Sequence, residues 1–154
     1  MESKKVLVSV KDHIMTIKLN NPEDKNRCDR FMYVDIANAV NEAVDNDDVY
    51  VVIFTGDRDN FSTGGRIDAT KGEEENNLYI QSLGVYNDAW NRLNKPLIAA
   101  IEGDCLAGGF SDASRADIAI ARRGIKFALP EILRGGFPCM VQIPIVDVIH
   151  GKPP

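Results

Sequence analysis

Apolar and polar residues alternate near the start of the chain, at residues 5–10 and again at residues 14–19. A period of two residues is typical of strands with one buried face, so these segments predict a β-hairpin that turns at residues 11–13. At residues 29–44 the apolar positions recur at helical spacing, and Asp29 is a residue type that caps helix N-termini. The chain therefore opens with the order ββα.

The remaining pattern predicts short buried strands that alternate with helices. Residues 49–54 and 97–101 are continuous apolar runs of strand length. Residues 57–71 are polar and predict a loop, and the acidic run at residues 73–75 is either a helix start or a mobile segment. After this run we predict a helix that ends near Leu93 and a short helix that ends near Arg115. Strands are predicted at 117–121 and 126–129. A helical turn from Pro130 and an amphipathic segment at 140–149 complete the chain's predicted elements. The order ββαβαβαβ predicts one α/β domain over residues 1–154.

Charge and composition narrow the classes of partner. The net charge of −5 argues against binding to nucleic acid or to an anionic membrane surface. No apolar run approaches 18 residues, and no long apolar stretch follows the N-terminal charges, so we expect a cytoplasmic protein without a membrane partner. The three cysteines form no CxxC pair and the two histidines have no ligand-spaced companion, so we expect reduced thiols and no metal site.

Two glycine turns, each after an apolar strand, carry the most informative chemistry. The first is FSTGG at residues 61–65, and the second is AGGF at residues 107–110. A backbone without Cβ atoms lets a ligand come close, and N–H groups at a helix start have no intrahelical partner. Two such turns facing one another would aim two donors at one oxygen of a carbonyl or thioester, as an oxyanion hole does. A glycine pair after a strand is also often only a tight turn.

The motifs around these turns resemble the crotonase superfamily, which includes the enoyl-CoA hydratases and isomerases. They follow one another in the order of that family at residues 21–26, 61–65, 95–110, 116–121 and 126–131. The resemblance implies a crotonase-like α/β fold of repeated ββα units around a spiral of sheet. It also implies an acyl-CoA thioester as the ligand, with coenzyme A as part of the substrate and no separate cofactor.

The resemblance also implies roles for individual residues. The backbone N–H groups of Thr63 and Gly108 would hold the thioester oxygen as an enolate forms. Lys25, and with it Arg27, would lie near the CoA phosphates, although a lysine in a polar loop is often only solvated. The substrate would also contact the residues around the two turns, namely Gly64, Gly65, Arg66, Gly109 and Ser111.

In this interpretation a single carboxylate, that of Glu131, acts as both acid and base. By resemblance, Glu131 faces the α-carbon of the acyl group, whereas its placement alone would equally suit the first turn of a helix. The second glutamate of the family is replaced by Ser111, a poor base unaided, and Asp112 should point elsewhere and pair with Arg115. A single glutamate is enough to move a proton between carbons, so the pattern favours isomerisation over hydration and leaves decarboxylation and hydrolysis open.

Two further departures from the family bear on function. Arg66 occupies a position at which the family usually has an acidic residue. Its side chain could reach a phosphate or a substrate carboxylate, but we favour a position in solvent. Members of the family normally continue with helices that cover the acyl pocket, and we expect the crotonase-like domain of this chain to lack that C-terminal helical region. We expect a homo-oligomer, a trimer or hexamer, if the assembly typical of the family forms without that C-terminal region. The alternative is a non-catalytic acyl-CoA-binding or structural protein, or a fragment.

Overall fold

Two sheets and three helices make up the part of the chain that the computed structural model describes, which is residues 4–66, 70–138 and 141. The helices are α1 (Arg30–Asp45), α2 (Glu73–Arg92) and α3 (Gly108–Arg115). The strands are β1 (Val6–Lys11), β2 (Ile14–Leu19), β3 (Val51–Thr55), β4 (Asn60–Ser62), β5 (Leu97–Ile101), β6 (Asp104–Leu106), β7 (Ile118–Ala121) and β8 (Phe127–Ala128). Short 3₁₀ turns cover Pro22–Asp24 and Pro130–Arg134.

The larger sheet has the order β1-β2-β3-β5-β7 and is parallel except for the β1–β2 hairpin. Alternate side chains of β2, β3 and β5 are buried and join the buried faces of α1 and α2 in one apolar core. Phe54 of β3 lies at its centre, with edge-to-face contacts to Phe61 and to Trp90 of α2 at centroid distances of 5.6 and 5.4 Å. The Phe54–Phe61 contact therefore joins β4, which carries Phe61, to the core of the larger sheet.

The smaller sheet has the order β4-β6-β8, and both of its strand pairs are parallel. Sequence analysis assigned residues 57–71 to a loop and did not predict β6, so both short strands are corrections. Each has three residues, and the partners that stabilise them lie far away in the sequence, as in the pairing of Asn60 with Asp104 and of Cys105 with Phe127. Local apolar periodicity carries no signal for strands of this kind.

The other predicted elements agree with the structure, with shifts of one or two residues at their ends. The acidic run at residues 73–75 does begin a helix. The predicted buried face of the hairpin is wrong for β1, in which only Val6 is buried, because this strand lies at the edge of the sheet. The predicted segment at 140–149 lies outside the described residues, apart from Val141. Within the described ranges, no helix is long and apolar enough to cross a membrane.

Candidate active site

The three residues predicted to act on the thioester follow the three strands of the smaller sheet. Thr63 follows β4, Gly108 follows β6 after one residue, and Glu131 follows β8 after two residues. Because these strands are parallel, their carboxyl ends meet at one edge of the sheet. Ligands of parallel α/β sheets bind at this kind of edge. The topology thus brings the three predicted residues to one side of the molecule.

The two glycine turns lie against each other at this edge. A Cβ atom placed on Gly64 would lie 2.9 Å from the backbone nitrogen of Gly108 and 2.8 Å from the Cβ of Ala107. A Cβ on Gly109 would lie 2.4 Å from the carbonyl oxygen of Ser62. Side chains at these positions would push the turns apart, and Gly64 also has a φ of +93°, which favours glycine.

Hydrogen bonds fix the conformation of the first turn. The Gly64 N–H donates to the Ser62 hydroxyl at 3.1 Å, and the Cys28 N–H donates to the Gly64 carbonyl at 2.9 Å. The Thr63 hydroxyl donates to the Lys25 carbonyl at 3.1 Å. The Thr63 side chain is therefore used to hold the turn, which leaves its backbone as the part available to a ligand.

The second turn ends at the first residue of a helix. Gly108 is the first residue of α3, so its N–H has no acceptor within the helix. This N–H lies at the positive end of the helix dipole. Ala107 precedes it with a φ of +51°, a conformation that costs a residue with a Cβ about 1 kcal/mol or more. This strained turn allows the chain to leave β6 and enter α3 directly against the first turn.

Glu131 follows β8 at the same edge and has one carboxylate oxygen with no hydrogen-bond partner in the described part of the chain. It lies in the 3₁₀ turn Pro130–Arg134, whose end is closed by a hydrogen bond of 3.0 Å from the Gly136 N–H to the Glu131 carbonyl. The Glu131 Oε2 atom is buried and has no hydrogen-bond partner among the described residues. An unpaired buried acceptor is costly, and it is the state in which a carboxylate can accept a proton from a ligand.

Ser111 and Asp112 are buried next to one another on α3. Asp112 was expected to pair with Arg115, but it instead accepts a hydrogen bond of 2.5 Å from the Tyr86 hydroxyl of α2. Burial raises the pKa of Asp112 to about 6, against the opposing charge of Arg115 and the Tyr86 hydrogen bond. Asp112 is thus tied to the core through α2.

The cationic residues near the first turn are exposed. Lys25 has a φ of +53° at the end of the Pro22–Asp24 turn, and the Arg27 guanidinium donates two hydrogen bonds to Asp24 Oδ1. The Arg66 guanidinium lies 3.7 Å from Asp24 Oδ2, beyond hydrogen-bond distance, and half of its side chain is exposed. The Arg66 N–H donates to the Cys28 carbonyl at 2.8 Å, which fixes the backbone of Arg66 beside the glycine pair.

Sequence reasoning missed the buried polar residues that support the first turn. Asn26 is fully buried, donates to Asp57 Oδ2 at 2.9 Å and to the Asn60 carbonyl at 2.8 Å, and accepts from the Asn21 N–H. A Cβ on Gly65 would lie 2.0 Å from the Tyr79 hydroxyl, which therefore lies directly against this turn. Neither role has a local signal, because each depends on residues that are distant in the sequence.

Comparisons with known proteins agree on one family. A family model described as enoyl-CoA hydratase/isomerase matches residues 9–152. The Arabidopsis thaliana protein named "Probable enoyl-CoA hydratase 1, peroxisomal" is 34% identical over 81% of this chain and 47% of its own length. Mevalonyl-coenzyme A hydratase sidH of Aspergillus fumigatus is 31% identical over 91% of this chain and 53% of its own length. The chain thus spans about half the length of these curated relatives.

Solved structures share the fold. DspI of Pseudomonas aeruginosa superposes with a TM-score of 0.84 at 26% identity, over 99% of this chain and 59% of DspI. A Legionella pneumophila protein described as an enoyl CoA hydratase/isomerase (crotonase) superposes with a TM-score of 0.82 at 25% identity, over 96% of this chain and 59% of that protein. With the family match covering nearly all of its sequence, this chain belongs to the enoyl-CoA hydratase/isomerase family of the crotonase superfamily.

Proposed function

We propose that the chain binds an acyl-CoA thioester at the carboxyl edge of the smaller sheet and catalyses proton transfer through a thioester enolate. The observation that carries this proposal is the arrival of Thr63, Gly108 and Glu131 at that one edge, with the two glycine turns in contact. The hydratase names of the relatives support a CoA thioester as the ligand.

In the proposed mechanism the backbone N–H groups of Thr63 and Gly108 donate to the thioester oxygen. Negative charge grows on this oxygen when a proton leaves C2, so the two donors stabilise the enolate more than the bound substrate. Removing one donor of such a pair typically costs about 3–4 kcal/mol of transition-state stabilisation. The rigid turn around Gly64 holds the donors in place before the reaction starts.

Glu131 serves as the base and then as the acid. In the isomerisation of a 3-enoyl thioester, its carboxylate takes a proton from C2, and the electron pair moves through the enolate and the C3–C4 double bond. The same carboxyl group returns the proton to C4, which leaves the double bond between C2 and C3. A buried oxygen such as Glu131 Oε2, which has no partner among residues 4–66, 70–138 and 141, suits both steps.

Ser111 favours isomerisation over hydration as the reaction of this site. Hydration is easiest when two carboxylates hold one water, and the family position of the second glutamate is occupied here by a buried serine. A serine hydroxyl can hydrogen-bond a water but is a poor base. The same site would catalyse hydration at a lower rate, with Glu131 alone activating the water.

The rest of the proposal concerns binding and assembly. Lys25 and Arg27 are exposed on the loop beside the first turn, where they would meet the CoA phosphates. Exposed apolar side chains at Ile132, Leu133 and Phe137 support a homo-oligomer, a trimer or hexamer, that covers them. Buried free thiols at Cys28 and Cys105 support a cytoplasmic location.

A pair of substrates tests the proposed reaction. The protein is mixed with a 3-enoyl-CoA or with a 2-enoyl-CoA, and the ultraviolet absorbance of the conjugated thioester is followed while CoA affinity is measured by calorimetry. A rise in absorbance with the 3-enoyl substrate supports isomerisation, and a fall with the 2-enoyl substrate supports hydration. Binding without turnover would favour the non-catalytic alternative, and the absence of binding would overturn the proposal.

A further inference from the structure

The helix that begins at the second glycine turn, α3, is short and has no side-chain cap. It spans the eight residues Gly108–Arg115. Its N-cap, Ala107, makes no side-chain hydrogen bond to the first turn and has a φ of +51°. A helix of this length is not stable by itself and depends on tertiary contacts for its position. The direction of the Gly108 N–H is therefore set by the contacts that hold α3 from the side.

One face of α3 joins its first residue to α2. Gly108 and Asp112 share this face, because residues four apart are neighbours on a helix surface. Within an α-helix the N–H of residue 112 also donates to the carbonyl of residue 108, so the two positions move together. A Cβ on Gly108 would lie 3.3 Å from the Gly64 Cα, and Asp112 accepts a hydrogen bond of 2.5 Å from the Tyr86 hydroxyl. The face thus meets the first glycine turn at one end and α2 one helical turn later.

The Tyr86 hydroxyl has a fixed position in the core. Its ring packs edge-to-face against Tyr33 and Trp90, at centroid distances of 4.9 and 6.1 Å. Tyr86 and Asp112 are both buried, so separating them would leave the hydroxyl without this acceptor inside the protein. A buried hydrogen bond to a carboxyl group is costly to break. The Tyr86–Asp112 hydrogen bond is therefore a rigid joint between α2 and α3.

The tyrosines around this joint also contact the first glycine turn. A Cβ on Gly65 would lie 2.9 Å from the Tyr33 hydroxyl and 2.0 Å from the Tyr79 hydroxyl. The Tyr33 ring lies edge-to-face to the rings of Tyr79 and Tyr86, at 5.8 and 4.9 Å. Gly65 lies two residues after Thr63. One aromatic cluster thus packs against the first turn and binds the helix that begins at the second.

We propose that the Tyr86–Asp112 hydrogen bond sets the position of the Gly108 N–H, which makes Tyr86 and Asp112 positioning residues for the oxyanion hole. The inference rests on the proposed function, because it takes this N–H and that of Thr63 as the donors to the thioester oxygen. Neither the Tyr86 nor the Asp112 side chain touches the substrate. Each acts through the orientation of α3, and a change in that orientation weakens one of the two donors.

Tyr86→Phe tests this role, because it removes the hydroxyl and keeps the ring. A displaced donor affects the enolate more than the bound thioester, since the oxygen carries more charge in the enolate. We expect the exchange of the C2 protons of hexanoyl-CoA in D₂O to slow by about 10- to 100-fold, as a donor displaced by about 1 Å would cause. The affinity for hexanoyl-CoA should stay within about twofold. Rates are expressed per binding site counted by calorimetry, so that a purely structural role predicts no change in them.

An infrared measurement reports the two donors without any turnover. The carbonyl stretch of a thioester moves to lower frequency when its oxygen accepts hydrogen bonds. Difference spectra of hexanoyl-CoA with an isotope label at the thioester carbonyl should show this shift on binding to the wild type. The shift should be smaller on binding to Tyr86→Phe. A loss of fold stability alone does not move the band of the bound ligand.

Three more variants make the test specific. Asp112→Ala removes the acceptor and should reproduce both effects of Tyr86→Phe, whereas Asp112→Asn keeps an acceptor oxygen and should recover most of the loss. Tyr50→Phe is the matched control, because Tyr50 is exposed and its ring stacks on His13 of the β1–β2 turn. It should keep wild-type exchange and the full shift of the band.

Distinguishable results would overturn the inference. Wild-type exchange and the full shift in Tyr86→Phe, or a loss of affinity as large as the loss of exchange, would show that the hydroxyl does not position the donor. Equal losses in Asp112→Asn and Asp112→Ala would show that the site needs the charge of Asp112 rather than its hydrogen bond. These results leave the proposed function standing. If the wild type does not bind hexanoyl-CoA, or binds it without a shift of the band, the proposed function fails together with the inference.

Discussion

Gly64 and Gly108 are in direct backbone contact, although 43 residues separate them in the chain. A Cβ on Gly108 would lie 3.3 Å from the Gly64 Cα, and one on Gly64 would lie 2.9 Å from the Gly108 nitrogen. The contact joins the end of β4 to the start of α3. It therefore fixes the spacing of the two N–H donors that we assign to the thioester oxygen.

Gly64→Ala should separate these donors and reduce turnover of an enoyl-CoA by about 100-fold or more, the size of effect seen when one oxyanion donor is lost. Gly124→Ala is a matched control, because Gly124 also has a positive φ, of +87°, but a Cβ there meets nothing within 4 Å. The positive φ should cost each variant about 1–2 kcal/mol of stability, and Gly64→Ala should lose more because its Cβ also clashes with Ala107 and Gly108. Steady-state kinetics and urea unfolding distinguish the two effects, and equal activities of the two variants would contradict the account.

Asn26 should be one of the most sensitive polar positions in the fold. It is fully buried and joins the loop before α1 to Asp57 and to the backbone of β4. Asn26→Ala leaves several buried partners unpaired, so we expect a loss of about 2–4 kcal/mol in the free energy of unfolding. Urea unfolding measures this loss, with Asn38→Ala on the exposed side of α1 as the control. Losses of similar size in the two variants would refute the role given to Asn26.

The stability of the protein should depend on pH through Asp112. Burial raises its pKa to about 6, above the value of about 3.9 expected in an unfolded chain. The folded state therefore binds the proton more tightly, and the stability that this group contributes is complete below about pH 4 and is lost as the pH rises through 6. Between pH 7.5 and pH 5 the wild type should regain about 1 kcal/mol relative to Asp112→Asn, whose amide does not titrate.

Urea unfolding at the two pH values measures this difference. The amide introduced by Asp112→Asn keeps an oxygen that can accept from the Tyr86 hydroxyl, so the comparison isolates the titration. The control is Asp35→Asn, which removes an exposed carboxylate from α1. A difference of the same size in Asp35→Asn would contradict the assignment to Asp112.

The sequence predicted those elements that have local periodicity. Residues 97–101 were predicted as a buried strand and are one, and the predicted helix at residues 29–44 differs by one residue at each end from the observed α1. Two of the three strands of the smaller sheet, β4 and β6, were not predicted, since they are stabilised by parallel pairing and by Phe61 in the core rather than by their own pattern. The strands of this sheet set the geometry of the candidate site, so that geometry could not be read from the residues alone.

The candidate residues show the same division. Thr63, Gly108 and Glu131 are candidates because sequence motifs contain them, and the parallel sheet brings them to one edge. The supporting residues Asn26 and Tyr79 had no motif, and their roles depend on contacts with distant backbone. The Tyr86–Asp112 hydrogen bond was missed because helical spacing favours a partner on the same helix over one on a neighbouring helix.

The central claim is that Glu131 removes a proton from the carbon next to a thioester held between the two turns. Its most direct test is the exchange of the C2 protons of hexanoyl-CoA in D₂O, followed by mass spectrometry, because exchange requires the enolate and no particular overall reaction. We predict exchange catalysed by the wild type and a loss of about 100-fold or more in Glu131→Gln, with CoA affinity unchanged. Exchange at the wild-type rate in Glu131→Gln, or no catalysed exchange in the wild type, would contradict the account.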